Sequence, residues 1–146
     1  MKKHIHAMAC CLLLAFVIIS CKKNSEPVSP KDPTPTVGNV SGTYAIAKIT
    51  LKENATGQEQ EQIYPDCKKD DELRFSLDMT FNYIDAGTVC QTPGDWNGAW
   101  DLPNSTTLEI DGSPSTIIKF NGTNLNLSSV YDDTHALVTY LVRVAP

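Results

Sequence analysis

The stretch ELRFSLDMTFNYIDA, residues 72–86, sets Leu73, Phe75 and Leu77 on one side of an extended chain and Arg74, Ser76 and Asp78 on the other. Side chains alternate between the two faces of a strand, so this period-2 pattern marks a half-buried strand. Past Asp78 and Met79 the pattern restarts with Phe81 and Tyr83, and the two halves read as an antiparallel hairpin. A cysteine stands on either side, Cys67 before and Cys90 after.

Further strands with the same period are expected at residues 43–53, 98–102, 106–110, 115–120, 124–130 and 135–144. The segments LPNS, DGSPS, NGT and YDDT between them supply the Gly, Pro, Asn and Asp that tight turns require. No sustained helical stripe is present, although one helical turn fits YPDCKKDD, with Asp66 or Asp70 as its cap. Eight antiparallel strands joined by short turns predict an all-β fold, an up-and-down barrel or a sandwich. A barrel of eight has an interior that side chains fill or that holds one small ligand. Phe75, Tyr83, Trp100, Leu108, Ile110, Leu125 and Leu127 are its expected inward residues, while the last strand is apolar on both faces.

Ahead of this domain, Lys2 and Lys3 precede the 14-residue apolar run AMACCLLLAFVIIS. A charged segment followed by a run of this length is the pattern of a secretory signal, and it is short of the roughly 20 residues of a membrane-spanning helix. The motif IISC resembles a bacterial lipobox, which implies a signal peptide over residues 1–20 and acylation of Cys21. Secretion with cleavage near Ser20 is the alternative. Residues 21–39, with Pro27, Pro30, Pro33 and Pro35, bury nothing and are expected to be a disordered, extended tether. Residues 40–146 are long enough for one domain.

Processing of this kind removes Cys10 and Cys11 and occupies Cys21, so Cys67 and Cys90 are the one possible pair. An oxidising compartment favours their disulfide, and two cysteines are too few for a structural zinc site. Closing that loop contributes on the order of 3 kcal/mol.

The domain carries 15 acidic and 7 basic side chains, which excludes nucleic acid as a partner, since that requires basic clusters. Asp66, Asp70, Asp71 and Glu72 lack the alternating ligands and the glycine of a calcium loop and are read as turn caps and a solvated rim. His135 lies near Asp132, Ser128 and Ser129, but no nucleophile elbow accompanies them, so it reads as a partly exposed strand-start histidine. Neither a catalytic residue, nor a metal, nor a cofactor is expected. In GDWNGAW, Trp100 is expected in the core and Trp96 in a turn at the barrel mouth.

Taken in order, GTYAIAKI, CKKDDELRFSLDMTF, a second cysteine and NGAWDL resemble the lipocalin-like domain of bacterial envelope lipoproteins. The match rests on Gly42, Thr43, Cys67, Asp70, Asp71, Phe75, Phe81, Cys90, Gly98 and Trp100. Tyr44 stands where the family has a tryptophan, and still suits a barrel floor. Met79 stands where the hairpin has a glycine, which calls for a turn other than type I′ with its positive φ. The resemblance implies a lipocalin-like β-barrel, held through Cys21 on the membrane of a Gram-negative cell envelope, with the outer membrane favoured by Lys22. The expected function is non-catalytic binding of a small apolar or amphipathic ligand by a monomer, with Phe75, Tyr83, Trp96, Trp100 and Tyr140 as candidate contacts. The alternative is a structural or protein-interaction module with a filled interior.

Overall fold

The computed structural model describes residues 31–91 and 94–144. The signal segment 1–20, Cys21 and the tether up to residue 30 lie outside the described residues. Within them run nine antiparallel strands: β1 (Gly42–Glu53), β2 (Glu59–Glu61), β3 (Glu72–Phe75), β4 (Thr80–Ile84), β5 (Trp96–Asn104), β6 (Thr107–Ile110), β7 (Ser113–Phe120), β8 (Asn124–Val130) and β9 (His135–Arg143). From β3 to β9 each strand pairs with the next, and β3 also pairs with β1. The ring closes where β9 returns to β1, from Tyr44↔Arg143 to Glu53↔His135. The result is an eight-stranded closed antiparallel barrel. The short β2 stands beside the ring, paired with Thr50, Leu51 and Lys52 of β1. Its sequence, Glu-Gln-Glu, is exposed throughout and carries no apolar alternation, so only the fold reveals it.

One contiguous core fills the lower barrel: Val40, Tyr44, Leu73, Phe75, Phe81, Trp100, Leu108, Phe120, Leu125, Leu127 and Leu141. Tyr83 and Ile110, also expected inward, are partly buried and pack against it. In β9 the apolar residues divide: Leu141 joins this core, whereas Val138, buried on the opposite face, pairs with Thr50 and Ser128.

The expectation of an extended tether as far as residue 39 is corrected. Thr36 and Asn39 form a reciprocal capping box around a helical turn, α1 (Val37–Val40), which satisfies backbone donors that an isolated turn leaves open. Val40 is wholly buried, so this turn belongs to the barrel floor. There Arg143 donates from Nε to Gly122 O (2.8 Å), from Nη1 to Ser41 O (2.7 Å) and from Nη2 to Asn39 O (2.5 Å). Its guanidinium also lies 4.8 Å from the Tyr44 ring centre. The Tyr44 hydroxyl accepts from Arg143 and donates to Val40 O. A Cβ on residue 42, where φ is +152°, would overlap the guanidinium, so this approach requires Gly42.

Two hairpins show how turn chemistry sets register. Asp111 and Gly112 both have positive φ, 48° and 75°, as a two-residue type I′ loop demands. Between β3 and β4, Met79 N–H donates to Ser76 O and Ser76 N–H to Thr80 O, which is a longer loop. It is not the two-residue turn, in line with expectation, yet Met79 still takes φ 67°. A non-glycine residue pays about 1–2 kcal/mol for that conformation. Met79 recovers it by packing on the core and by accepting Trp100 N–H at 2.9 Å.

The turn between β8 and β9 is held by Asp132, whose carboxylate accepts from Thr134 N–H, Thr134 hydroxyl and His135 N–H. Those bonds, the Thr134 hydroxyl first, lower its pKa to about 2. A carboxylate depressed in the folded state contributes stability that is present above its ordinary value and lost as pH falls through the folded one. Carboxyl NMR should therefore place the Asp132 midpoint near 2, with the turn loosening over about pH 4 to 2. An ordinary midpoint would remove this role.

Candidate functional site

Between its two partners on one side, β1 is left uncovered: β3 reaches only Ala45 and β2 begins only at Thr50. The returning chain covers part of this gap, with Gln62 N–H donating to Ile49 O at 2.9 Å. The rest forms a cavity of about 420 Å3, lined by Ile46, Ala47, Lys48, Ile49, Glu61, Gln62, Ile63, Tyr64 and Lys69. That volume falls within the range of small-molecule sites, and the lining mixes an apolar wall with a few polar groups. Ile63 is 100 % exposed. Lys69 is paired with Asp66 at 2.6 Å, and the Lys48 ammonium lies 4.3 Å over the Tyr140 ring.

Behind the wall lies a buried polar cluster. Extending the β1–β3 register one step past Ala45↔Glu72 sets Asp71 opposite Ile46. The carboxylate is 1 % exposed; its Oδ2 accepts the Tyr83 hydroxyl, and its Oδ1 is buried without a partner. This corrects the reading of Asp71 as part of a solvated rim. Residues 71, 73 and 75 share parity, and Leu73 and Phe75 are core, so the strand turns Asp71 inward. Burial first, then the hydrogen bond to Asp71 and its charge, push the Tyr83 hydroxyl pKa upward. Burial first, then the charge of the same carboxylate, push the Tyr64 phenol pKa upward, and this residue also lines the cavity.

The remaining acids of this segment are spread out. The helical turn forms as a 3-10 turn, Asp66–Lys68, capped by Pro65 with no side-chain bond, so Asp66 does not cap it. Asp70 instead accepts Thr88 N–H at 2.8 Å. Cys67 and Cys90 form the disulfide expected of them, tying this turn to the segment after β4.

The five candidate ligand contacts occupy different places. Phe75 and Trp100 meet edge to face at 5.4 Å in the packed core, and the Trp100 Nε1–H donates to Ser76 O at 2.8 Å. Tyr83 and Trp96 stack at 6.4 Å, with Trp96 42 % exposed and also 4.8 Å from Phe81. Tyr140 stands on the face of β9 opposite Leu141 and donates its hydroxyl to Glu59. That bond is the main cause of the lowered Glu59 pKa. None of the five lines the cavity beside β1.

A second hollow, about 350 Å3, gathers Ser128, Ser129, Asp132 and His135 with Asn54 and Thr116. The His135 Nδ1 is 3.0 Å from Asp132 and 2.8 Å from the Thr134 hydroxyl, so the ring is engaged by the turn. Among the described residues no helix is long and apolar enough to cross a membrane. No family model matches the chain, and its sequence finds no match among curated proteins.

Proposed function

We propose that this chain is a lipocalin-like lipoprotein, anchored at the cell envelope through acylated Cys21, whose barrel binds a small apolar or amphipathic molecule without transforming it. The observation that carries the reading is the cavity beside β1, with its wall of Ile46, Ala47, Ile49, Ile63 and Tyr64. Apolar surface of this kind favours a ligand through its removal from water. The anchor, the outer-membrane location and the monomeric state rest on the sequence motifs and on the resemblance.

The test uses a neutral fluorescent probe, N-phenylnaphthylamine, together with native mass spectrometry of protein recovered from its own cells. Wild type should bind the probe, and Ile46→Trp, which fills the cavity, should weaken binding about tenfold, the loss of about 1.4 kcal/mol of apolar contact. Equal binding by the variant would place the probe elsewhere and remove the support for this cavity.

The densely packed floor favours a second reading, a structural or protein-interaction module whose interior is solid. Trp100, Phe75, Phe81 and Tyr44 leave essentially no exposed surface there. Failure of wild type to bind the probe, with no co-purified ligand, would favour that module.

A further inference from the structure

We propose that the Cys67–Cys90 disulfide is the latch of the cavity beside β1: oxidised, it keeps the outer wall against β1, and its two-electron reduction frees that wall and releases the ligand. This assigns a regulation to the same cavity and rests on the ligand-binding reading above.

The two walls of the cavity differ in firmness. Ile46, Lys48 and Ile49 belong to β1 and are paired with β9. Glu61, Gln62, Ile63, Tyr64 and Lys69 come from the end of β2 and the irregular chain that leads to β3. Among the described residues, the backbone of 63–69 bonds only to itself, through Lys68 N–H to Pro65 O (2.9 Å) and Lys69 N–H to Asp66 O (3.2 Å). Hydrogen bonds to other segments stand at its two ends, Gln62 N–H to Ile49 O (2.9 Å) and Thr88 N–H to the Asp70 carboxylate (2.8 Å). Burial adds little, since Ile63 is 100 % exposed and Pro65, Asp66 and Lys69 are exposed as well. Tyr64 and Lys68 approach Tyr83, the ammonium at 6.0 Å from the ring centre. A segment with few buried contacts and local hydrogen bonds opens at low cost.

Cys67 sits inside this loose wall and cross-links it to Cys90. The approach to Cys90 is firmer: Asp85 N–H is bound by Asp95 and Thr88 N–H by Asp70. With the bridge closed, the untied stretch runs from Ile63 to Asp66. With it open, the stretch extends to Lys69, and Ile63 and Tyr64 are free to leave β1. A longer untied chain has more conformations, so closing it over a ligand costs more. Cys67 and Cys90 are both only half-buried, which leaves the bridge open to a thiol.

A dithiol supplies the electrons. One thiolate attacks a bridge sulfur, the protein S–S bond breaks as a mixed disulfide forms, and the second thiol closes the reagent's own S–S bond. Two electrons and two protons end on Cys67 and Cys90 as thiols. Coupling is reciprocal, so a bound ligand should resist reduction by the factor by which reduction weakens binding.

Titration of N-phenylnaphthylamine into the purified protein tests this, before and after dithiothreitol and again after reoxidation. Reduction should weaken binding about tenfold, as Ile63 and Tyr64 cease to cover the probe, and reoxidation should restore it. The double variant Cys67→Ser/Cys90→Ser should bind like the reduced protein and ignore dithiothreitol, although it keeps every other cysteine. Amide exchange in the same samples should rise about tenfold at Gln62, Lys68 and Lys69 and stay unchanged at Leu141 in the core. Equal binding by oxidised and reduced protein overturns the proposal. So does a loss of binding together with the near-ultraviolet circular dichroism of the packed aromatics, because the bridge would then staple the whole barrel and not one wall. Oxidised protein that never binds the probe removes the ligand-binding reading and leaves exchange to decide on the latch: a rise confined to the wall supports it, and unchanged exchange there overturns it.

Discussion

Replacing Trp100 by alanine should cost the barrel about 3–5 kcal/mol, the usual penalty for emptying a large aromatic site in a close-packed core. The indole is 2 % exposed and lies edge-on to Phe75, while its N–H satisfies Ser76 O in the hairpin below. Truncation therefore removes packing and strands a carbonyl together. Phenylalanine at this position separates the two effects. It keeps much of the volume and loses the donor, so Trp100→Phe should cost about 1–2 kcal/mol. Urea unfolding followed by near-ultraviolet circular dichroism measures both. A loss below about 1 kcal/mol for the alanine variant would show that the floor collapses around the gap.

Arg143→Ala is expected to cost about 3 kcal/mol for a different reason. The guanidinium is a hub: three carbonyls from Asn39, Ser41 and Gly122, the Tyr44 hydroxyl and the Tyr44 ring all converge on it. Each acceptor left without its donor pays a desolvation penalty, and α1 loses its hold on the floor. Lysine retains the charge but offers a point donor in place of a planar fork, so Arg143→Lys should recover less than half of the loss. Amide hydrogen exchange at Val40 and Ser41 reports the release of the helical turn directly. Unchanged protection there in the alanine variant would show that the capping box and the burial of Val40 hold the turn by themselves.

The barrel was readable because its strands obey a two-residue period and its turns carry residues with matching φ preferences. Asp111-Gly112 is the clearest case, since that pair both ends a strand and specifies the hairpin type. The disulfide followed from counting cysteines. What escaped the pattern was held by contacts distant in sequence or by very short motifs. β2 is three polar residues whose strand state comes from β1, and α1 is four residues hidden in a proline-rich segment. Its one local signal was the Thr36–Asn39 spacing of a capping box.

The candidate site divides in the same way. Ile46 and Ile49 belong to a strand that was foreseen, but Ile63 and Tyr64 reach the cavity from an irregular segment whose path no period describes. Asp71 was hidden by its company, three other acids in a run of seven residues. Parity with Leu73 and Phe75 was the available sign that it faces inward. The aromatic residues expected as ligand contacts are large and apolar. Those same properties make Phe75 and Trp100 good floor residues, and periodicity alone does not distinguish a filled level of a barrel from an open one.

The bond from Val144 N–H to Thr43 O brings the start and finish of the barrel side by side at its sealed pole. Both ends of the domain therefore depart from one place, which suits circular permutation. A short linker between them, with new termini cut at the Asp111-Gly112 loop, would preserve every rung of the closing β1–β9 seam. A reporter domain joined directly after Val144 would leave from beside the floor, away from the opposite rim.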